Sequence, residues 1–199
     1  MTICAATFVC LGVRVAGGSQ AGAADRQVTR TIHVLLPKPM RSIVALISLG
    51  DALPVITFAV LLCALSVVLG NHRAARLAIA GPLLTGIVTT GVKPLVGRTI
   101  RDHLAYPSGH TGAWTSLGLV AAIILIGVLS TGPMASALLL ASGALGAGGL
   151  MALALITYYA HYPSDTVGGF CAAIVCVLGC VVLIERIAAT APRCQSRGH

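Results

Sequence analysis

Long apolar runs constrain this chain more than any other feature: residues 43–69, 77–92, 113–129, 135–158 and 166–184. Crossing a bilayer takes roughly 20 mostly apolar residues in a helix. Such runs must be helical, because lipid offers backbone N–H and C=O groups no partner. Charged residues make up 9% of the chain and hydrophobic ones 57%, whereas a soluble domain is about a quarter charged. The runs therefore predict an all-α, polytopic membrane protein, a single membrane domain over residues 1–199, and exclude a soluble globule.

A further helix, bringing the number to about six, is expected in the N-terminal stretch MTICAATFVCLGVRVAGG, which is apolar but short and interrupted by Arg14. A signal peptide is the alternative reading, since SQAGAAD offers small residues at a cleavage site, although the basic start of such a peptide is missing. In residues 20–41, Val28, Ile32, Val34 and Leu35 are spaced among basic residues. That pattern suits a short amphipathic helix at the membrane surface. The run 135–158 is rich in Gly and Ala, including Gly143, Gly146, Gly148 and Gly149. Small residues let membrane helices approach closely, which predicts a buried, central helix.

The formal charge of +8 is no nucleic-acid signal here, because the Lys and Arg residues sit in loops and tails, where membrane orientation and headgroups call for them. The seven cysteines are scattered singly, without CxxC or Cys/His zinc spacing. Cys176 and Cys180 share a helix face and read as small apolar packing residues. Neither a metal site nor a cofactor is expected.

Parity gives the topology. Two spans separate the loop at 93–110 from the loop at 161–165, so both lie on one side of the membrane. The turns NHRAAR and STGPM and the C-terminal tail lie on the other. Basic residues outside the polar motifs divide five (Arg73, Arg76, Arg186, Arg193, Arg197) against four (Arg26, Arg30, Lys38, Arg41). By the positive-inside rule the tail then faces the cytoplasm and the two loops the outside of the cell membrane.

Polar clusters gather on that one side: KPLVGRTIRD, YPSGHT and HYPSDTVGG. Between them they hold Lys93, Arg98, Arg101, Ser108, His110, His161 and Asp165. Beyond them, Asp51 is the one ionisable residue well inside a long apolar run. Ionisable groups at membrane depth are costly and are functional candidates. Lys93 and Arg98 suit phosphoryl oxygens, and Arg can grip two at once. Pro107 and Ser108 form a helix start with Ser as cap. The N–H groups of Ser108, Gly109 and His110 would then point at an anion, and Gly109 admits it close to the backbone. Asp165, in the helical turn after His161, can hold one ring nitrogen and leave the other free to attack. His110 can protonate a leaving oxygen.

The order of these motifs resembles the type 2 phosphatidic acid phosphatase family, whose soluble relatives include vanadium haloperoxidases. That family carries a Lys with an Arg about seven residues on, then Pro-Ser-Gly-His, then Ser-Arg-x5-His-x3-Asp. Here the core of the match is P107-S-G-H110 and H161-Y-P-S-D165, and it extends over about 81–185. The resemblance implies six helices and a metal-free phosphohydrolase site at the outer membrane face. His161 would form a phosphohistidine with Asp165 as its partner. His110 would be the general acid, and Lys93, Arg98, Ser108 and Gly109 would hold phosphate.

The chain departs from the pattern twice. Seven residues after Lys93 stands Ile100, flanked by Arg98 and Arg101; Arg98 is the better match because it follows Val-Gly. The Ser-Arg pair of the third motif is replaced by Ala154 and Leu155, which removes one guanidinium unless Arg101 takes its place. The expected substrate is a phospholipid monoester or a polyprenyl (pyro)phosphate, whose tail stays in the bilayer. Two other classes stay open: a non-catalytic lipid-phosphate binder or transporter, suggested by Leu155, and a metal-dependent hydrolase using His110, His161 and Asp165.

Overall fold

The computed structural model describes residues 1–36 and 40–190. Lys38, Arg193 and Arg197, counted above for orientation, lie outside the described residues. The elements run α1 (Thr2–Val15), α2 (Ala23–Leu35), α3 (Met40–Ser48), α4 (Ala52–Val68), α5 (His72–Val96), a hairpin of β1 (Thr99–Ile100) and β2 (His103–Leu104), α6 (Gly109–Leu129), α7 (Pro133–Gly143), α8 (Gly149–Thr157) and α9 (Pro163–Thr190). A π-helical turn at Ala144–Gly148 joins α7 to α8, so that Pro133–Thr157 forms one long span.

The protein is an all-α membrane bundle. By length and apolar composition α5, α6, α7–α8 and α9 can each cross a bilayer, and α3 with α4 makes a fifth span if that bent pair is counted as one. The helix α1 has 14 residues, or about 21 Å, against a hydrocarbon thickness of about 30 Å. Among the described residues four helices, or five with the bent pair, have the length and composition of a span, against about six expected, and α1 is a shorter apolar helix lying along α9. The run 43–69, expected to be one helix, is bent by 61° between α3 and α4. Pro54 explains the break: in a continuous helix its ring would meet the carbonyl of Gly50. The chain instead restarts at Asp51, whose extended backbone precedes α4.

At the centre α5, α6 and α9 pack on one another around Ala74, Ala78, Leu119, Val120 and Val177. The Gly-rich helix is not central, as its composition predicted. It is the least buried of the four long spans, and Leu138, Leu145 and Leu150 point outward. Its glycines serve one face only. A Cβ on Gly143 would meet the Gly118 carbonyl of α6, and one on Gly148 would meet Thr115. Small residues record close approach to one neighbour, not burial on all sides.

Candidate active site

The polar clusters meet at one end of the bundle, where the end of α5, the hairpin, and the starts of α6, α9 and α2 converge. The helix α5 stops at Gly97, whose left-handed φ of 63° lets its N–H bond the Lys93 carbonyl. That turn sends Arg98 inward, 1% exposed. The hairpin reverses the chain through Arg101 and Asp102, both at positive φ, and returns it to Tyr106. The phenol of Tyr106 donates to the Phe8 carbonyl of α1. Burial, together with the nearby Cys171 and Asp165, pushes its pKa well up, so it stays a neutral anchor.

Ser108 caps α6 as its sequence predicts: its hydroxyl oxygen accepts from the Thr111 N–H at 3.4 Å and the Thr111 hydroxyl at 3.1 Å. It is wholly buried, and its N–H donates to the Asp165 carbonyl at 2.9 Å. The Ser108 N–H, expected to point at an anion, is thus taken by Asp165. The N–H groups of Gly109 and His110, in the first turn with no helical carbonyl within reach, are the ones left open at the mouth of α6. Among the described residues a Cβ on Gly109 would meet only Thr89 Oγ1, at an ordinary contact distance of 3.7 Å. The loop lies so close to α9 because Gly168 and Gly169 face it; Cβ atoms there would meet the Tyr106 ring and the Ser108 carbonyl.

Asp165 is the hub. Its side chain is wholly buried; Oδ1 accepts from Arg98 Nη1 at 2.8 Å and Oδ2 from the Tyr162 N–H at 3.0 Å. His161 Nδ1 lies 3.6 Å from Oδ2, too far for a hydrogen bond. It is buried without a partner. A carboxylate oxygen and an unmatched ring nitrogen therefore stand next to each other without a hydrogen bond.

Arg98, expected to grip phosphate, has both terminal nitrogens on protein acceptors, while its Nε is buried without a partner. Its Nη1 also donates to Ser164 Oγ at 2.6 Å, its Nη2 donates to Asp25 at 2.9 Å, and its plane lies 4.6 Å from the Tyr162 ring centre. A guanidinium with both terminal nitrogens on protein acceptors holds those acceptors in place, and here it braces the start of α9. Asp25, at the start of α2, also accepts from the N–H and hydroxyl of Ser164, each at 2.9 Å. Burial acts to raise its pKa, but the bonds from Arg98 and Ser164 outweigh it and hold the carboxyl below its ordinary 3.8.

On the other side His110 Nε2 stands 3.4 Å from Asp51 Oδ1 at the α3–α4 break. Its ring lies against Gly50, where a Cβ would be 2.3 Å from Cδ2. The Trp114 indole N–H bonds the Leu49 carbonyl at 3.1 Å and fixes the break against α6. Lys93 near the end of α5, His110 in the first turn of α6 and His161 just before α9 all fall at this end of the bundle. The structure thus brings Lys93, Gly109, His110, His161 and Asp165 together. Ser108 and Arg98 lie behind them as braces. Arg101 stands apart at the exposed hairpin turn, and Leu155 is packed away at 2% exposure.

Sequence reasoning missed Asp25 altogether and gave Asp51 and Gly50 no role. Asp51 carried a signal in its depth within an apolar run; Gly50, beside it, carried none that could be read before the break was seen. Among the described residues no group of three or more His, Cys, Asp or Glu is placed to hold a metal. The site combines an oriented imidazole, a second imidazole, a lysine and open helix N–H groups, a set suited to an anionic substrate. A family model described as the PAP2 superfamily matches residues 89–188, from the end of α5 through α9. No curated protein and no solved structure matches the chain.

Proposed function

The chain belongs to the PAP2 superfamily, and on that premise we propose that it is a metal-independent membrane phosphatase acting on a phospholipid monoester or a polyprenyl (pyro)phosphate. The observation that carries the reading is that His161 stands 3.6 Å from buried Asp165, whose carbonyl ties it to the start of α6 that bears His110. In this mechanism His161 Nε2 attacks phosphorus; a P–N bond forms as the P–O bond to the lipid breaks, and His110 gives the leaving oxygen its proton. Water then attacks the phosphohistidine, loses a proton to His110, and displaces His161 as inorganic phosphate forms. Asp165 holds Nδ1–H and stabilises the charge the ring acquires. Lys93 and the N–H groups of Gly109 and His110 hold the non-bridging oxygens, whose charge grows in the transition state. A substrate tail in the bilayer accounts for embedding a phosphatase in membrane helices. By the positive-inside reading the site opens on the outer face of the cell membrane.

Purified protein is expected to release phosphate from such lipids, with inhibition by vanadate and none by EDTA. A phosphoramidate, stable to alkali and labile to acid, should be trapped on quenching. Full activity in His161→Ala would falsify the mechanism. The second reading, a lipid-phosphate binder without turnover, draws on Leu155, which leaves the third motif without a cation. Equal lipid-phosphate binding by wild type and His161→Ala, with no hydrolysis in either, would select it. Loss of activity on chelation would select a metal-dependent hydrolase.

A further inference from the structure

A pocket of about 500 Å³ opens between α2 and the α8–α9 turn, with His161 in its wall beside Arg26, Arg30, His33 and Tyr159. Arg26, Arg30 and His33 recur at helical spacing, so one face of α2 looks onto the nucleophile candidate. Both ends of α2 are fixed against the site. At its start Asp25 bonds Arg98 and Ser164. Towards its end the His33 ring stacks on Tyr159 with centres 4.3 Å apart, and its Nε2 lies 3.1 Å from the Thr157 carbonyl. The face is therefore held in place before any ligand arrives.

The two arginines are short of counter-charge. Like charges four residues apart on a helix repel, and among the described residues neither meets a carboxylate. Arg26 donates only to the Ala21 carbonyl. Arg98, by contrast, has two carboxylates. Arg26 and Arg30, both exposed, line the same pocket as His161, and an anion held there would relieve their mutual repulsion. Neither Lys93 nor His110 lines this pocket, so it approaches His161 from a different side than they do.

We propose that Arg26 and Arg30 bind the non-bridging oxygens of the phosphoryl group carried at His161, supplying from the amphipathic helix the guanidinium that Leu155 cannot. The inference rests on the phosphoryl-transfer reading above. The shared chemistry is a phosphoryl dianion, whether it belongs to a lipid monoester, a lipid diphosphate or released inorganic phosphate.

The test compares wild type with Arg26→Gln, Arg30→Gln, the double variant and the double Lys variant. Turnover of phosphatidic acid and of a polyprenyl diphosphate is measured, together with calorimetric binding of vanadate and inorganic phosphate. The double Gln variant is expected to lose about 100-fold in kcat/KM on both lipids. It should weaken vanadate and phosphate binding by at least 10-fold with an unchanged melting temperature, and the Lys variant should recover part of each. A lipid-only loss, with inorganic anions bound as before, would assign the arginines to headgroups and overturn the proposal. So would a double Gln variant within about twofold of wild type in every measurement. If wild type turns nothing over, the phosphatase reading fails, yet anion binding still decides the arginines: binding lost in the double Gln variant supports them, and equal or absent binding overturns them.

Discussion

The site holds two histidine–carboxylate pairs built to opposite specifications. Asp165 has no exposed surface, the His161 side chain 12%, and the carboxylate is braced by Arg98 and a backbone N–H. The Asp51 side chain is 63% exposed, that of His110 33%, and the pair sits at the α3–α4 break. In a poorly hydrated site a charge acts strongly on its neighbour; at the surface the same pairing is screened and weak. The difference suits the roles proposed for the two rings. A nucleophile needs one tautomer and one direction, held through the whole cycle. A proton donor must exchange its proton with solvent on every turnover.

Breaking the buried pair should have the largest effect. Asp165→Asn removes the negative charge that stands 3.6 Å from His161 Nδ1 and leaves Arg98 buried with one carboxylate fewer. A drop in kcat of about 10³-fold is expected, larger than the ~10²-fold typical of one lost electrostatic contact. Arg98 keeps Asp25 as a partner, so the unfolding midpoint in detergent should fall, but by less than the about 3–5 kcal/mol of a buried charge left wholly unpaired. A variant that unfolds normally but does not turn over would separate the two effects. One that keeps more than a tenth of wild-type kcat would remove Asp165 from the mechanism.

The letters of both pairs were legible in the sequence, and the difference between them was not. Pro107 to His110 and His161 to Asp165 announce themselves because helix-start chemistry and titratable groups fall within a few residues. The apolar runs gave the helices, and parity put the two loops on one side. What stayed hidden is carried by contacts far apart in sequence. Asp25 reaches Arg98 across 73 residues and Ser164 across 139, and no periodicity encodes such a pairing. Arg98 was read as a phosphate ligand because its type and position fit one; its burial between two carboxylates depends on where α2 docks. The π turn and the one-sided packing of the Gly-rich helix are likewise tertiary facts.

Asp25→Asn sharpens the comparison at one remove, since Asp25 touches the brace and neither ring. It should lower kcat about 10-fold by loosening Arg98 and Ser164, with KM little changed. Its pH signature is separate. The folded-state pKa of Asp25 lies below its ordinary 3.8, so its stabilisation is complete above that value and is lost as pH falls through the folded one. Wild-type stability should therefore decline at the acid end more steeply than that of Asp25→Asn, and the two curves should converge there. Parallel curves would show that Asp25 does not titrate with folding.

Gly50→Ala tests how firmly the exposed pair is aimed. The new methyl would collide with the His110 ring, so the imidazole must turn away from Asp51. A loss of several-fold in kcat is expected, of the order of a misdirected acid catalyst, and less than for Asp165→Asn. A leaving group that needs no proton should escape the penalty. Equal loss on substrates with good and poor leaving groups would mean that Gly50 shapes the break and not the ring.

The smallest effect should come from Asp51→Asn. Exposed ion pairs are worth little because both partners are hydrated and the interaction is screened. The remaining amide can still accept a hydrogen bond from His110 Nε2, so orientation survives when charge is lost. Activity at neutral pH and low salt should fall by no more than about threefold, and raising ionic strength towards 1 M, where the Debye length is about 3 Å, should erase most of that gap. Asp165→Asn should show no such salt dependence, because its pair is closed to ions. If Asp51→Asn instead matched Asp165→Asn in size and ignored salt, the exposed pair would be as tightly coupled as the buried one, and His110 would have to be redrawn as a fixed electrostatic partner of the phosphoryl group.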